Sequence, residues 1–358
     1  MNKNYYAVIM AGGIGSRFWP MSTKQYPKQF HDILGTGSSL IQQTCKRFEK
    51  IIPSDNILIA TNKDYQALVQ KHLPNIPVGN ILLEPAMRNT APCILYSALK
   101  IYDQNPDGIM IVAPSDHLIE NETAFINNIE TSLNFCSNND VLVTLGIKPT
   151  FPNTGYGYIK YVNSEKNIKQ VDSFTEKPNL EKANEFFNDG RYLWNAGIFV
   201  WSVKAIIKQF QLNLPKMFAL FNSGNSDYNT TNEANFINSI YETSENISID
   251  FGIMEKATNV FVIPATFNWN DLGTWLSLYE NLDKDESENA TVGGQVIYNN
   301  SNNNMVRTQT HKKVVIEGLS DFIVIEENDV LLICPKSKEQ EIKEIRNQVK
   351  NKFGNDFV

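Results

Sequence analysis

The chain has 358 residues but only four cysteines and four histidines, and that scarcity removes several function classes. Cys45, Cys93, Cys136 and Cys334 lie far apart and form no C-x-x-C pair. His31, His72, His117 and His311 show no metal-ligand spacing. A zinc site or a dithiol centre is therefore not expected. The cysteines sit in apolar contexts and read as buried thiols of a reducing compartment. Positive charge is also in deficit, with a formal net charge of −7, which argues against a nucleic-acid or anionic-membrane binder. No apolar run is long enough to span a membrane, and Met1–Tyr5 leads into the first strand without a signal peptide. A cytoplasmic protein with no nucleic-acid and no membrane partner is expected.

Two familiar phosphate loops are missing as well. The apolar run Ala7–Met10 ends in Ala11-Gly12-Gly13-Ile14-Gly15-Ser16-Arg17, with Pro20 and Pro27-Lys28 beyond it. No Lys follows these glycines in P-loop register, and Phe18 stands where a dinucleotide fingerprint wants its third glycine. What remains is a strand feeding a glycine turn whose bare N–H groups can approach an anion. Arg17 and Lys28 add fixed positive charge, which an ordinary glycine-rich turn does not explain. The combination suits a triphosphate.

The first half alternates strand and helix. Strands are expected at Tyr6–Met10, Asn56–Ala60, Asn80–Leu83, Gly108–Val112 and Val141–Leu145. Helices are expected at Leu40–Ile51, Asp64–His72, Pro92–Tyr102 and Glu122–Phe135. This pitch predicts an α/β fold with a doubly wound, mostly parallel sheet, whose ligands collect at the carboxyl ends of strands. The glycine loop, Glu84, Asp116 and Gly146 all fall there. Beyond Gly155 the pattern changes: antiparallel strands at Tyr158–Val162 and Ile168–Phe174, a helix at Leu180–Phe187, and a strand at Gly197–Trp201. Asn222–Asn232 reads as a mobile surface loop, Phe251–Lys256 as a short helix and Val260–Ile263 as a strand. Asp283–Asn289 reads as a linker, giving domains 1–283 and 284–358. In the second, Asn299–Asn304 is a turn run among short strands, and Lys338–Phe353 places Ile342, Ile345, Val349 and Phe353 at helical spacing. No catalytic group is expected from about Glu286 onward.

Several constellations carry chemistry, each with a plainer alternative. Asp116, in Pro114-Ser115-Asp116-His117, suits Mg²⁺ beside a phosphate, or caps the next helix. Asp271, in Trp269-Asn270-Asp271-Leu272-Gly273-Thr274-Trp275, offers the same pair of readings. Glu176-Lys177-Pro178 can serve sugar hydroxyls and a phosphate dianion, or is an exposed turn. Asn195 suits hydroxyls or starts a strand. Gly155-Tyr156-Gly157 offers bare backbone to a sugar ring. Thr90 reads as the cap of the helix that Pro92 opens. Glu84 has no obvious structural role, and its carboxylate can accept guanine N1–H and N2–H₂ in parallel.

The motifs AGGIGSR, PKQF, EPAMRNTAP, PSDH, GYGYI, FTEKP, LWNAGIF, SIDFGIMEKA and WNDLGTW run from Val8 to Trp275. Together they resemble the bacterial mannose-1-phosphate guanylyltransferases, or GDP-mannose pyrophosphorylases, of the sugar-phosphate nucleotidylyltransferase family. The tail resembles the short β-helical extension of the single-function enzymes. The resemblance implies transfer of GMP from GTP to α-D-mannose 1-phosphate, with Mg²⁺ as cofactor on Asp116 and Asp271. It implies catalytic roles for Arg17, Lys28 and Lys177. Nucleotide contacts would come from Ala11, Gly12, Gly13, Gly15, Ser16, Glu84, Asn89, Thr90 and Ser115. Sugar-phosphate contacts would come from Gly157, Glu176, Lys177, Asn195 and Asp250. A homodimer is expected. The alternatives are a nucleotidylyltransferase for another hexose phosphate or base, and a catalytically silent homologue that senses GDP-mannose.

Overall fold

The computed structural model describes all 358 residues, which form two compact units. The first comprises Met1–Gly12, Thr44–Ser115 and Ile119–Trp269; the second comprises Gly13–Gln43, Asp116–Leu118 and Asn270–Val358. The chain crosses from one to the other inside three of the motifs above, between Gly12 and Gly13, between Ser115 and Asp116, and between Trp269 and Asn270.

The expected alternation is present. In chain order it runs β1 (Tyr5–Met10), α1 (Leu40–Phe48), β2 (Ile57–Asn62), α2 (Gln66–His72), β3 (Ile81–Glu84), α3 (Thr90–Gln104) and β4 (Ile109–Pro114). A short β5 (Leu118–Ile119), α4 (Glu122–Asn138) and β6 (Leu142–Ile147) follow. Next come β7 (Tyr158–Tyr161), β8 (Lys169–Thr175), α5 (Leu180–Asp189), β9 (Tyr192–Ser202), α6 (Val203–Asn213), α7 (Pro215–Asn222), α8 (Glu233–Ile240), β10 (Val260–Pro264) and the short β11 (Trp269–Asn270).

In the first unit nine strands form one sheet, in the order β3-β2-β1-β4-β9-β6-β10-β8-β7. β3, β2, β1 and β4 pair in parallel, as do β6 and β10. β9 opposes both its neighbours, and β8 opposes β10 and β7. Seven strands therefore run one way and two the other, so the sheet is mostly parallel. Its central strands are apolar along their length because both faces are covered. Val8, Leu58, Met110 and Val112 join Ile94, Leu95, Ile206 and Phe210 in one buried cluster. Their alternating neighbours, such as Ile9, Ile59 and Ile111, are also fully buried.

Helices α6, α7 and α8 are absent from the sequence reading, and the loop between the last two differs from it. Asn222–Asn232 is a pinned series of turns, not a free loop. Tyr228 is buried, and its hydroxyl donates to Phe221 O at 2.9 Å. Asn229 Nδ2 donates to Lys100 O at 3.0 Å and Asp103 Oδ2 at 2.8 Å. One aromatic and a few amides anchor the segment, so its low apolar content hides the anchoring.

The second unit holds α9 (Trp275–Glu280) and six strands: β12 (Ala290–Val292), β13 (Gln295–Asn299), β14 (Met305–Arg307), β15 (Lys313–Glu317), β16 (Phe322–Glu327) and β17 (Val330–Pro335). A terminal α10 (Ile342–Phe353) follows. Parallel pairs join β12 to β14, β14 to β16 and β13 to β15, so successive passes of chain stack as in a β-helix. The asparagine run closes one corner of that stack. Buried Asn304 donates from its amide to Asn289 Oδ1 at 3.0 Å and Leu319 O at 2.7 Å, and its Oδ1 accepts Phe322 N at 3.0 Å. The expected linker at 283–289 is a closed turn, with Ser287 N and Asn289 N both donating to Asp285 Oδ1. The unit's core joins Phe18, Trp19 and Ile33 to Leu272, Trp275, Ile323, Leu332 and Ile342, with Ile345 and Val349 against it. Phe353 departs from the expected apolar stripe and is exposed. No helix is long and apolar enough to cross a membrane.

Candidate active site

In the second unit the glycine loop leads straight into a cluster of charge. Gly15 has φ +70°, and a Cβ there would lie 2.5 Å from Lys28 Cβ. Only glycine gives both that backbone and that approach. Lys28 is thereby buried against the loop, with its ammonium 5.1 Å from the Phe18 ring centroid. It donates to Asp116 Oδ2 at 2.9 Å and to Asp271 O at 3.0 Å. Its third partner, Asp116 O, lies at the long distance of 3.5 Å, so one N–H is open to a better acceptor. Burial pushes the Asp116 carboxyl up, but the Lys28 charge, His117 and the direct hydrogen bond outweigh it, so the group stays below the usual carboxylate range. A cavity of about 310 Å³ opens here, lined by Gly15, Ser16, Arg17, Lys28, Asp116 and Asp271 among others. The structure thus brings together groups separated by about 250 positions in sequence.

The capping alternatives for both aspartates fall away. Asn121 caps α4, its Oδ1 accepting Ala124 N, and Thr274 caps α9 in a reciprocal pair with Ser277. Asp271 is fixed by its own turn, with Oδ1 accepting Gly273 N at 3.0 Å. Neither carboxylate begins a helix.

The first unit carries two further sets. The first gathers Gly157 before β7, Glu176 after β8, Asn195 within β9 and Asp250 at the start of a helical turn, Asp250–Met254. A Cβ on Gly157 would collide with Glu176 Oε2. Asn195 Nδ2 donates to Asp250 Oδ1 at 2.9 Å, and its Oδ1 accepts Gly197 N and Thr144 Oγ1 at 3.0 and 3.2 Å. Lys177 Nζ pairs with Glu176 Oε1 at 2.9 Å and is otherwise exposed. Burial, then the nearby Glu176 charge, push the Asp250 carboxyl up to about 6. Acceptors, an amide and an exposed cation in one group suit a hydroxylated ligand with an attached anion.

The second set corrects two expectations. Glu84 does have a structural role: it is buried, and Tyr241 Oη donates to its Oε1. Its Oε2 lies 3.1 Å from where a Gly12 Cβ would stand. Its Oε1 is thus partly engaged by Tyr241, while its Oε2 faces the Gly12 side. Burial pushes this carboxyl up to about 7, the Tyr241 hydrogen bond opposing the shift. Thr90 is not the cap of α3; Asn89 stands there at φ 58°, and Thr90 Oγ1 accepts Ile249 N at 2.9 Å. Asn89 Nδ2 donates to Asn246 Oδ1 at 2.6 Å. Ala11 has both backbone groups engaged, N–H to Ala60 O and C=O from Thr61 Oγ1. Ser115 is buried beneath the loop end, and its N–H donates to Met10 O.

Sequence reasoning missed Tyr241 and Lys343. Tyr241 follows a helix it did not foresee. Lys343 lies on α10 and lines the same cavity as Arg17 and Lys28.

The profile of the family described as "Nucleotidyl transferase" matches residues 6–288, and that of the "MannoseP isomerase/GMP-like beta-helix domain" matches 294–349. Alginate biosynthesis protein AlgA of Pseudomonas aeruginosa is 34% identical over 348 residues, covering 94% of this chain and 70% of that protein. Mannose-1-phosphate guanylyltransferase of Salmonella montevideo is 34% identical over 357 residues, covering 96% and 73%. A crystal structure from Thermus thermophilus, described as a mannose-1-phosphate geranyltransferase, superimposes with a TM-score of 0.87 at 29% identity, covering 97% of this chain and 99% of that one. The chain belongs to the nucleotidyl transferase family, in the branch that contains the mannose-1-phosphate guanylyltransferases.

Enzymes of this family typically use a divalent metal. No cluster of three or more His, Cys, Asp or Glu side chains is present, so the protein alone does not enclose an ion. Two carboxylates on one cavity, one of them held ionised, do fit a hard cation that completes its shell with phosphate oxygens and water.

Proposed function

We propose that the chain transfers GMP from GTP to α-D-mannose 1-phosphate, releasing diphosphate and forming GDP-mannose. The observation that carries this reading is the buried Lys28 ammonium held between Asp116 and Asp271 O in a cavity that also exposes Arg17. Such a cluster suits phosphoryl chemistry. The names of the relatives supply the base and the sugar.

In this reading a phosphate oxygen of mannose 1-phosphate attacks the α-phosphorus of GTP. The bond from that phosphorus to the bridging oxygen breaks, and its electron pair leaves with diphosphate. The nucleophile is already an anion, so no general base is required. The barrier lies in bringing anions together, and positioning plus charge neutralisation lower it. Gly12, Gly13, Gly15 and Ser16 receive the triphosphate. Arg17 and the remaining N–H of Lys28 hold the leaving diphosphate. Asp116 and Asp271 would hold Mg²⁺, which supplies further charge neutralisation at the phosphates. Lys177 turns from Glu176 to the sugar phosphate, while Glu176, Asn195 and Asp250 orient the mannose hydroxyls. Glu84, Asn89, Thr90 and Ser115 serve the nucleoside.

Transfer chemistry falls to residues 1–283 and the small β region to 284–358. The four free, buried thiols support a reducing compartment, the cytoplasm. A homodimer is supported by the exposed apolar pair Ile297 and Val315, register partners on β13 and β15. The test is diphosphate release over a matrix of nucleoside triphosphates and hexose 1-phosphates. GTP with mannose 1-phosphate should be preferred. A different preferred pair points to another member of the family, and no release under any pair points to a silent homologue.

A further inference from the structure

The arginine, lysine and aspartate charges lining the second unit's cavity sum to zero unless Lys343 is counted. Arg17 and Lys28 are two cations, and Asp116 and Asp271 are two carboxylates. These four charges cancel one another. Lys343 is the fifth Arg, Lys or Asp side chain of the lining, and it leaves their sum positive. It is exposed and takes part in no ion pair. Lys28, by contrast, is already engaged by Asp116.

Lys343 is held where it stands. Ile342, its neighbour, is buried in the core that contains Phe18 and Leu272. Those two residues adjoin Arg17 and Asp271, so one apolar cluster fixes three of the cavity's charged positions. Ile345 and Val349 pack on the same cluster. Glu339 Oε2 accepts Leu276 N at 2.9 Å just before the helix, and Trp19 Nε1 donates to Phe357 O at 2.7 Å just after it. α10 is thus pinned at both ends. Lys343 lies in its first turn, where the helix dipole adds to the side-chain charge.

We infer that Lys343 is a phosphate-binding residue of this cavity, supplied by the terminal helix and directed at the triphosphate. The inference rests on the function proposed above and names a contact that reading lacks. An ammonium on a flexible stem, unpaired and at the mouth of an anion site, needs little reorganisation to reach a phosphate oxygen.

The test uses the full chain with Lys343→Met, Lys343→Arg and Lys343→Glu. Inorganic tripolyphosphate affinity is measured by calorimetry, and KM is measured for each substrate with Mg²⁺ present. Lys343→Met should weaken tripolyphosphate binding and raise KM for GTP by about 10-fold, the size of one charge-assisted contact at an exposed site. KM for mannose 1-phosphate should stay within about 2-fold and Tm within about 1 °C, since the side chain carries no apolar load. Lys343→Arg should restore most of the loss, and Lys343→Glu should deepen it. The dependence of tripolyphosphate affinity on salt should become shallower in Lys343→Met. Wild-type affinity in Lys343→Met overturns the inference, and so does an equal rise in both KM values that Arg fails to rescue. If the wild-type chain binds tripolyphosphate but releases no diphosphate from any substrate pair, the proposed function fails while the site stands.

Discussion

Gly15→Ala is the sharpest perturbation the loop offers, because two independent costs fall on one methyl group. At φ +70° an alanine costs about 1–2 kcal/mol in backbone strain. Its Cβ would also stand 2.5 Å from Lys28 Cβ and 3.1 Å from Lys28 Cδ, where ordinary contact begins near 3.4 Å. Relieving that overlap moves Lys28 by about 1 Å, at about 1–3 kcal/mol for overpacking. Together the loss is about 2–5 kcal/mol, a fall in Tm of about 3–7 °C for a chain of this length. The larger effect is on chemistry. The Lys28 ammonium sits 2.9 Å from Asp116 and 3.0 Å from Asp271 O, and a displacement of about 1 Å from such a position can cost about 10²-fold in kcat. The control is Gly13→Ala, where a Cβ meets nothing within 4 Å and Tm should not move. Differential scanning fluorimetry and a coupled diphosphate assay read both. If Gly15→Ala melts with wild type, or the two variants melt alike, the claimed clash between Gly15 and Lys28 is wrong.

Asp116→Asn and Asp271→Asn should each cut turnover by about 10²-fold or more in a folded protein, with EDTA mimicking both; full activity in EDTA would remove the metal from the reading. Asp250 has its folded pKa raised from 3.8 to about 6, so its ionisation destabilises the fold progressively as pH rises through that window, and it offers sugar hydroxyls two full acceptor oxygens only above it. kcat/KM for mannose 1-phosphate should therefore fall below pH 6 more steeply in wild type than in Asp250→Asn, the substrate's own titration cancelling in the ratio; superimposable profiles would show that Asp250 does not titrate at the sugar. Glu84→Gln should lower kcat/KM for GTP by about 10-fold, with a smaller loss for ITP, which lacks the amine. An unchanged GTP/ITP ratio would leave Glu84 as a support for Tyr241 and Gly12 alone.

The sheet was legible because apolar runs and helical periods repeat at one pitch through β6, and four of the five expected strand ends carried a residue worth questioning. Asp116 and Asp271 were legible only as candidates. Their alternatives disappeared once Asn121 and Thr274 proved to hold the caps, a choice that depends on one-residue phasing. Glu84 was misread because its partner, Tyr241, is 157 positions away and follows α6–α8, which propensity did not reveal. The asparagine ladder was invisible for a related reason. A polar run reads as solvent-exposed, yet Asn304 is fully buried with its amide satisfied across the stack. Lys343 gave no local sign, since a lysine on the polar face of an amphipathic helix says nothing until the fold supplies its neighbours.

The way the chain threads the second unit has a consequence for how the enzyme is made. Phe18 and Trp19, which follow the glycine loop, share a core with Ile323, Leu332 and Ile342, and the Trp19–Phe357 hydrogen bond closes a separation of 338 residues. Contacts that distant are slow to form, because a long loop must be closed before any apolar burial rewards it. On the ribosome the glycine loop emerges early, yet it must wait for residues beyond 320 before its own core exists. The nucleotide loop should therefore be among the later parts of the molecule to mature. A nascent or truncated chain would hold a formed sheet with an unformed phosphate loop, exposing Phe18 and Trp19 as surface for chaperones.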